Sequence, residues 1–435
     1  MASNLNGWIQ KECEQRETIV IDMVFSLCGN YLVACNNFGC VNVWDLKESL
    51  HPNEIQQHVT NENGYSDQPN PFVNIFNTQQ QQQQQQQPNG SSSYNNMIFK
   101  PSLSFLADST KSPINKLFFY SEELLVSSGD SDIMVWNWTK IKNLIGEPGQ
   151  RINVSDIKQI LICNLNSPRI EGIKGHLPER AEINGLDSDG RFLYFACGNN
   201  NAYSCDLSTL KIVNTYQGHQ DYVLSIKYNS TFNQIITSSE DSTVRIWDPN
   251  SSQTTSILNP FYKLSYDMSD INNNSNSNTN SSSNNNNNSN DNDFKLPPFL
   301  STEKTKKSSN FNQWCGPLDL DETGNWLVVG GSTLSLWYLG RLNTMVANLP
   351  ADDCIHSVLV NKDQILACGS EGTVNYYSPE GRLQMKVPST SKILYSLAHN
   401  PKKSNQILAT GGSSPLINIY INQENIAFSY YFLNE

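Results

Sequence analysis

The sequence has no apolar run of the roughly 18 residues that a membrane-spanning helix requires. Near Met1 it also lacks a basic segment followed by an apolar core, so we expect no secretory signal peptide. Its ten cysteines include no C-x-x-C pair, and the close pair Cys35 and Cys40 has no companion that completes a zinc site. We therefore expect a soluble intracellular protein whose cysteines are small, reduced core residues.

Basic residues are few. The 29 Lys and Arg residues against 41 Asp and Glu residues give a formal net charge of −12 and a pI near 5.0. A field of this sign repels polyanions, so the surface as a whole is not expected to bind nucleic acid, although a local basic patch remains open. Lys304, Lys306 and Lys307 form one such cluster, which is typical of a short nuclear-import signal but is also short enough to arise by chance.

Catalytic and nucleotide-binding motifs are also missing from the sequence. There is no H-E-x-x-H, no G-x-S-x-G and no G-x-x-x-x-G-K. Carboxylates such as Asp321 and Glu322 fit turn chemistry better than catalysis. The six histidines are dispersed along the chain: His51, His58, His176, His219, His356 and His399. The sequence therefore predicts a binding platform without cofactor or metal and not an enzyme.

What the sequence does contain is a repeated unit. Each unit has an alternating strand, a polar turn, an apolar strand that ends in small residues, and a third strand that ends in an aromatic residue. Six of seven copies close at an aromatic residue, and the third closes at a cysteine; the closing positions are Trp44, Trp136, Cys205, Trp247, Trp337, Tyr377 and Tyr420. Closing positions recur about 40–43 residues apart wherever no insertion intervenes. This spacing predicts an all-β fold, a seven-bladed β-propeller.

The predicted domain is a propeller over residues 19–435, which follows an N-terminal cap segment at 1–18. We place the seven blades near 19–46, 112–138, 181–208, 218–248, 312–340, 352–378 and 391–432. Three insertions separate blades: 50–110 with nine consecutive glutamines, a smaller one at 139–175, and the Asn- and Ser-rich 250–310. The Gln and Asn tracts cannot bury enough apolar area to order themselves, and neutral repeat expansion explains them better than a tether does.

Closure of the ring requires an outer strand for the last blade. The apolar and aromatic run from Ile426 to Phe432 has the length of a strand, and we predict that it supplies this strand. The segment from Asn6 to Arg16 would then form a short helix or cap. In the competing arrangement, the N-terminus supplies the outer strand.

The fourth unit carries four polar or aromatic residues that can form a chain of hydrogen bonds. It opens on Gly218-His219 and closes on Trp247-Asp248. His219 can donate to Asp241 in a tight turn, while its other ring nitrogen faces the hydroxyl of Thr237, which can also accept the indole N–H of Trp247. We interpret this set as structural, because a hydroxyl held under an indole is not a nucleophile.

A Gly-His start and a Trp-Asp end are the signature of WD-repeat blades, and the chain is identified as a member of that family. A narrower resemblance rests on segments spread along the chain: Cys28–Gly39, Gly218–Tyr222, Glu240-Asp241, Val244–Asp248, Trp314–Gly316, Gly330–Trp337, Val387–Ser389 and Ala427–Ser429. In these segments the chain resembles the WD-repeat family that forms the sixth subunit of the THO complex. The Gln and Asn tracts depart from that family.

This resemblance implies a non-catalytic nuclear scaffold that couples transcription and processing of messenger RNA to its export within the TREX assembly. Its partners would be helical THO subunits, and the positions that dock cannot be carried over. An alternative is a substrate receptor of a cullin-type ubiquitin ligase. Such receptors often carry Arg two positions after Trp-Asp, where this chain has Lys47 and Asn250.

Overall fold

In the computed structural model, seven antiparallel sheets form a ring, so the predicted seven-bladed β-propeller is confirmed. The structure describes residues 14–50, 97–130, 132–170, 180–261, 313–340, 343–361, 364–401, 407–421 and 425–434. The innermost strand of every blade contacts the innermost strands of both neighbouring blades, and those of blades seven and one also meet. The ring is therefore closed.

Strands are numbered along the chain, and each blade runs from its inner to its outer strand. Blade one contains β1 (Val20–Phe25), β2 (Tyr31–Asn36), β3 (Cys40–Asp45) and β5 (Leu103–Leu106). Blade two contains β6 (Ile114–Phe119), β7 (Leu124–Gly129), β8 (Asp132–Asn137) and β9 (Leu161–Asn166). Blade three contains β10 (Ile183–Ser188), β11 (Leu193–Cys197), β12 (Asn201–Asp206) and β13 (Lys211–Gln217). Blades four and five contain β14 (Val223–Asn229), β15 (Gln234–Ser239), β16 (Val244–Trp247) and β17 (Thr254–Leu258); and β18 (Cys315–Leu320), β19 (Trp326–Gly331), β20 (Leu334–Tyr338) and β21 (Thr344–Leu349). Blades six and seven contain β22 (Ile355–Asn361), β23 (Gln364–Gly369), β24 (Thr373–Tyr377) and β25 (Leu383–Pro388); and β26 (Leu394–His399), β27 (Leu408–Gly412), β28 (Ser414–Ile421), β29 (Asn425–Tyr431) and the added β4 (Ile98–Phe99).

Short helices occur in two of the connections. They are α1 (Leu46–Leu50), α2 (Trp138–Asn143) and α3 (Val154–Ile160), and residues 14–16 are also helical. Within the described part of the chain, every helix is too short or too polar to cross a bilayer.

The apolar core lies between adjacent blades. Ile236 and Ile246 of blade four pack with Leu318 and Leu327 of blade five, and all four side chains are buried. Because the two middle strands of each blade are covered on both faces, they read as continuous runs of apolar and small residues. Burial of one such Leu or Ile side chain stabilises the fold by about 1.5–3 kcal/mol.

The small residues that end the second strand of each unit make room for the backbone. A Cβ atom on Gly369 would lie 1.8 Å from the carbonyl oxygen of Cys354, and one on Gly412 would lie 1.9 Å from that of Ile393. In both blades the approaching carbonyl belongs to the segment that leads into the inner strand. Small size at this position is therefore required by the close passage of the chain and not by turn geometry.

The outer strands of three blades lie inside ranges that the sequence analysis assigns to insertions. β5 falls within 50–110, β9 within 139–175 and β17 within 250–310, so the predicted insertions are too wide at these ends. The residues of β9 and β17 mostly alternate between half-buried and exposed, because one face of these outer strands borders solvent, whereas β5 is almost wholly buried. Next to polar, low-complexity sequence, that weak alternation does not stand out. The Gln tract and the Asn tract lie outside the described residues.

Blade seven closes as the C-terminal alternative predicts. β29 pairs antiparallel with β28 as a further strand of that sheet, and β4 adds to β29 in parallel. The chain then continues onto blade one, where the Asn42 side chain donates to the carbonyl of Leu433 at 3.2 Å. The side-chain amide of Asn434 donates to the hydroxyl of Thr18 and accepts from Asn36, both at 2.6 Å. The C-terminal residues thus join blade seven to blade one.

Side chains on the inner strands also connect blades. Asp22 of blade one accepts from the backbone N–H of Leu117 in blade two at 2.9 Å. In the same way, Asp187 of blade three accepts from the N–H of Tyr228 in blade four, and Asp319 of blade five accepts from that of Val360 in blade six. The hydroxyl of Ser396 in blade seven accepts from the N–H of Met23 and donates to Asp22, both at 3.1 Å. Asp22 therefore links blades seven, one and two.

We expect Asp22→Ala to lower the free energy of unfolding by about 3 kcal/mol, because it leaves the buried N–H of Leu117 without its acceptor and removes the partner of Lys116, 2.9 Å away. Urea unfolding followed by circular dichroism measures this change. As a control, Asp206→Ala removes an exposed carboxylate that accepts only from the N–H and hydroxyl of Ser208 in its own turn, and we expect a much smaller loss. Equal losses in the two variants would contradict the role given to Asp22.

Candidate functional site

Blade four brings the four predicted side chains together. Thr237 lies on β15 and Trp247 ends the adjacent β16, while Asp241 lies in the tight turn between these strands. His219 precedes β14 and packs against the same turn, with its side chain fully buried. The paired strands place the hydroxyl and the indole on one face of the sheet, so the chain of contacts forms within one blade.

The contacts have the lengths of ordinary hydrogen bonds. The Nδ1 atom of His219 lies 2.9 Å from a carboxylate oxygen of Asp241, and its Nε2 atom lies 2.8 Å from the hydroxyl of Thr237. The indole N–H of Trp247 donates to that same hydroxyl at 2.8 Å. Because an ionised carboxylate can only accept a hydrogen bond, the Nδ1 atom of His219 carries the proton in its contact with Asp241.

The glycine before His219 is required by space. Gly218 has φ +159, and a Cβ atom on it would lie 2.7 Å from the guanidinium of Arg245 and 3.2 Å from the ring of Trp247. The Arg245 guanidinium itself lies 5.9 Å from the centre of that ring. The Gly-His pair therefore combines a close approach of the backbone with a buried hydrogen-bonding ring.

Asp241 is held in its ionised form by its neighbours. Burial by itself raises the pKa of this carboxyl. The hydrogen bond from His219 and the positive charge of that ring lower it, and so do hydrogen bonds from Thr243 and the N–H of Gln220, so that the pKa is about 2. The Thr243 hydroxyl lies at 2.6 Å and the Gln220 nitrogen at 2.9 Å. This carboxylate ties the start of the blade to the turn between its second and third strands.

Blades two and five keep only one hydrogen bond of this kind, from a tryptophan to a serine hydroxyl. The indole of Trp136 donates to Ser127 at 2.8 Å in blade two, and that of Trp337 donates to Ser335 at 2.9 Å in blade five. In blade three Cys205 occupies the position of the tryptophan and is fully buried. These two Trp–Ser bonds were not predicted from the sequence, although Ser127 on the strand next to Trp136 and Ser335 two residues before Trp337 were available as signals.

The aspartates that connect neighbouring blades were not predicted from the sequence either. Asp22, Asp187 and Asp319 stand inside inner strands that are otherwise mostly apolar, and a carboxylate in such a setting must find a partner. That mismatch was a signal in the sequence. The N–H groups that donate to these three carboxylates lie on the next blade, 41 to 95 residues away along the chain, and the sequence does not indicate which groups they are.

The remaining histidines that the structure describes each contact a neighbouring polar side chain. His356 lies 3.1 Å from the hydroxyl of Ser370, and His399 lies 3.3 Å from the amide of Asn361. Among the described residues, no group of three or more His, Cys, Asp or Glu side chains could hold a metal ion. The nine described cysteines are free thiols, six of them buried. His51, His58 and His176 lie outside the described residues.

We expect Asp241→Ala to lower the free energy of unfolding by about 1–3 kcal/mol, because it removes the partner of the buried His219 ring and the acceptor for the N–H of Gln220. Thermal melting followed by circular dichroism tests this. Asp291→Ala, in the Asn tract, is the control and should leave the melting temperature unchanged. Equal melting temperatures for the two variants would contradict the structural role of Asp241.

The lowered pKa of Asp241 also predicts a pH dependence. The pKa of this carboxyl is about 2 in the folded chain against a reference value of 3.8, so the unfolded chain binds more protons between these pH values. The stabilisation is complete above pH 4, amounts to about 2 kcal/mol, and is lost as the pH falls toward 2. We expect the difference in unfolding free energy between the parent chain and Asp241→Asn to shrink over this range. A difference that stays constant from pH 5 to pH 2.5 would contradict the assignment.

Comparison with known proteins agrees with this architecture. The family described as WD domain, G-beta repeat, matches residues 210–248, which include the first three strands of blade four. THO complex subunit 6 homolog of Danio rerio is 23% identical over 416 residues, which covers 95% of this chain and 97% of the fish protein. THO complex subunit 6 of Arabidopsis thaliana is 24% identical and covers 71% of each chain, and that of Homo sapiens is 21% identical and covers 94% of this chain and 91% of its own length.

These similarities extend through the seven blades, beyond the single WD repeat that matches on its own. The blade with the complete hydrogen-bond chain is the one that the repeat family matches. The chain is a seven-bladed β-propeller that contains a WD repeat and is similar to THO complex subunit 6.

Proposed function

We propose that this protein is a non-catalytic scaffold subunit of a THO complex in the nucleus, where it helps couple messenger RNA synthesis and processing to export. The observation that carries the proposal is the similarity to THO complex subunit 6 of Danio rerio, which spans nearly the full length of both chains. Similarity from end to end favours a shared assembly over a shared repeat alone.

The physical properties of the ring support a binding role through protein contacts. The side chains of His219, Thr237 and Trp247 in blade four are buried and hydrogen-bonded within the blade, so we assign them a structural role. With a net charge of −12, the chain repels RNA at long range. We therefore infer that its partners are other THO subunits and that messenger RNA is reached through them.

Purification of the tagged full chain from nuclear extract, with mass spectrometry of the bound proteins, tests the proposal. We expect the other THO subunits to be recovered in similar amounts with and without ribonuclease, because the contacts are between proteins. The Asp22→Ala variant, expressed at a temperature where part of it unfolds, should recover less of every subunit in proportion to the folded fraction.

Three results would contradict the proposal: no THO subunit in the bound fraction, loss of all of them after ribonuclease, or absence of the protein from the nuclear fraction. Recovery of the large adaptor of a cullin-type ligase in place of THO subunits would favour the alternative receptor function. The control is an unrelated tagged propeller purified in parallel, which identifies proteins that bind any WD-repeat ring.

A further inference from the structure

The chain itself covers the outer edges of blades seven and one. In blade seven, β4 adds to β29 in parallel, and the N–H of Ser429 donates to the carbonyl of Met97 at 2.9 Å. In blade one, a second parallel segment lies along β5. The N–H of Ser104 donates to the carbonyl of Gln150 at 2.9 Å, and its carbonyl accepts from the N–H of Ile152 at 3.0 Å. The outer edge of a blade in this ring can therefore accept a short parallel segment.

The two covered N–H groups occupy the same place in their blades. Ser429 is paired with Asn418 on β28. Ser104 is paired with Asn42 on β3. Both asparagines lie two residues before the closing aromatic of their blade. The outer-strand residue opposite this position therefore directs its N–H away from its own sheet.

In blade five, the corresponding outer-strand residue is Asn348. It is paired with Ser335, which lies two residues before Trp337. Within the described residues, β21 is the last strand of its sheet. The N–H of Asn348 is therefore directed outward at an edge that no described strand covers.

The edge of β21 also lacks the usual protection against pairing. The outer strands β9, β17 and β21 contain no charged residue and no proline. Each exposes about half of one large apolar side chain: Ile162 by 51%, Ile257 by 49% and Val346 by 53%. Proteins commonly place a charge or a proline on an open edge to prevent another strand from adding. Blade six follows this rule, since Lys386 occupies the position of Asn348.

Of the three uncharged edges, that of β21 is the clearest candidate. On β9, the amide of Asn164 donates at 3.0 Å to Asp132, which also pairs with Arg180 at 3.3 Å, so charges lie beside that edge. On β17, the hydroxyl of Ser256 accepts from the amide of Asn343 in blade five at 2.8 Å. β21 carries the most exposed of the three apolar side chains.

The covered edge of blade seven indicates what kind of segment fits. The ring of Phe99 in β4 lies 5.4 Å from that of Phe428 and 6.2 Å from that of Tyr430, both on β29. The corresponding residues of β21 are Ala347 and Leu349, which share one face of the strand. Because this pair is apolar, a strand that covers β21 can place a large apolar side chain over it.

We propose that the outer edge of β21 binds a short extended segment of a partner protein, which adds to blade five as a parallel fifth strand. The segment accepts from the N–H of Asn348 and packs one large apolar side chain on Ala347 and Leu349. In recognition of this kind, main-chain hydrogen bonds supply affinity and alternate side chains supply specificity. An uncharged segment fits best, because the edge has no charge to pair with. The proposal goes beyond the scaffold role and holds whichever assembly the protein joins.

Photo-crosslinking of the full chain tests the proposal. Val346→p-benzoylphenylalanine places a photoreactive ring beside the edge and leaves the N–H of Asn348 in place. The variant is irradiated in whole-cell extract, so the result does not depend on a nuclear assembly. We expect a link to one partner protein, and mass spectrometry of the linked peptide should place it in an uncharged, apolar segment.

A second substitution in the photoreactive chain tests whether the segment binds as a strand. Asn348→Pro removes the outward N–H at a position where an edge strand tolerates proline, and we expect the yield of the link to fall about ten-fold or more. Asn348→Lys gives the edge the charge that blade six has, and it should lower the yield as well. Asn348→Ala keeps the N–H and should leave the yield unchanged.

The matched control is Thr215→Pro, at the corresponding position of β13 in blade three, which should leave the yield unchanged. Melting temperatures of all variants, measured first, separate loss of the edge from unfolding. Equal yields in the parent and in Asn348→Pro or Asn348→Lys would overturn the proposal, as would equal losses in Asn348→Pro and Thr215→Pro. So would the absence of any link, or a link to a second copy of this chain or to its own residues.

Discussion

A ring of sheets covers both faces of every blade only if its first and last blades meet, and in this protein that junction is held by polar contacts as well as by packing. Asp22 is the centre of that junction, since it accepts from the N–H of Leu117, from Lys116 and from the hydroxyl of Ser396. Elsewhere between the same two blades, Trp44 of β3 stacks on Tyr430 of β29 with ring centres 5.1 Å apart. Each blade buries its faces on two neighbours, so the loss of one junction would expose apolar surface on both sides of it.

This constraint explains how six of the seven blades can lack the complete hydrogen-bond chain of blade four. Blades two and five keep only the bond from tryptophan to serine, and blade three replaces the tryptophan with Cys205. Their positions are fixed by the neighbours and by the aspartates and serines that join inner strands. Insertions between blades are tolerated for the same reason, because the ends that each insertion connects are already held by the ring.

The parts of the structure that were predictable are those encoded locally. The spacing of the closing aromatics gave seven blades, and the pattern from Gly218 to Trp247 gave the four residues that the structure brings together. The outer strands β9 and β17 were not predictable, because alternating half-exposed residues beside polar tracts resemble loops. The contacts of Asp22 were also hidden, since they join residues 95 and 374 positions apart.

Hydrogen exchange of the backbone N–H groups that cross between blades tests the closed ring most directly. The groups of Leu117, Tyr228, Val360, Leu397 and Met23 each donate to a side chain on the neighbouring blade. If the ring is one cooperative unit, all five should exchange only through global unfolding, with equal free energies of opening that fall together in urea. Faster exchange of Met23 and Leu397 than of Tyr228 and Val360 would show that the ring opens at blade seven, and it would contradict the account.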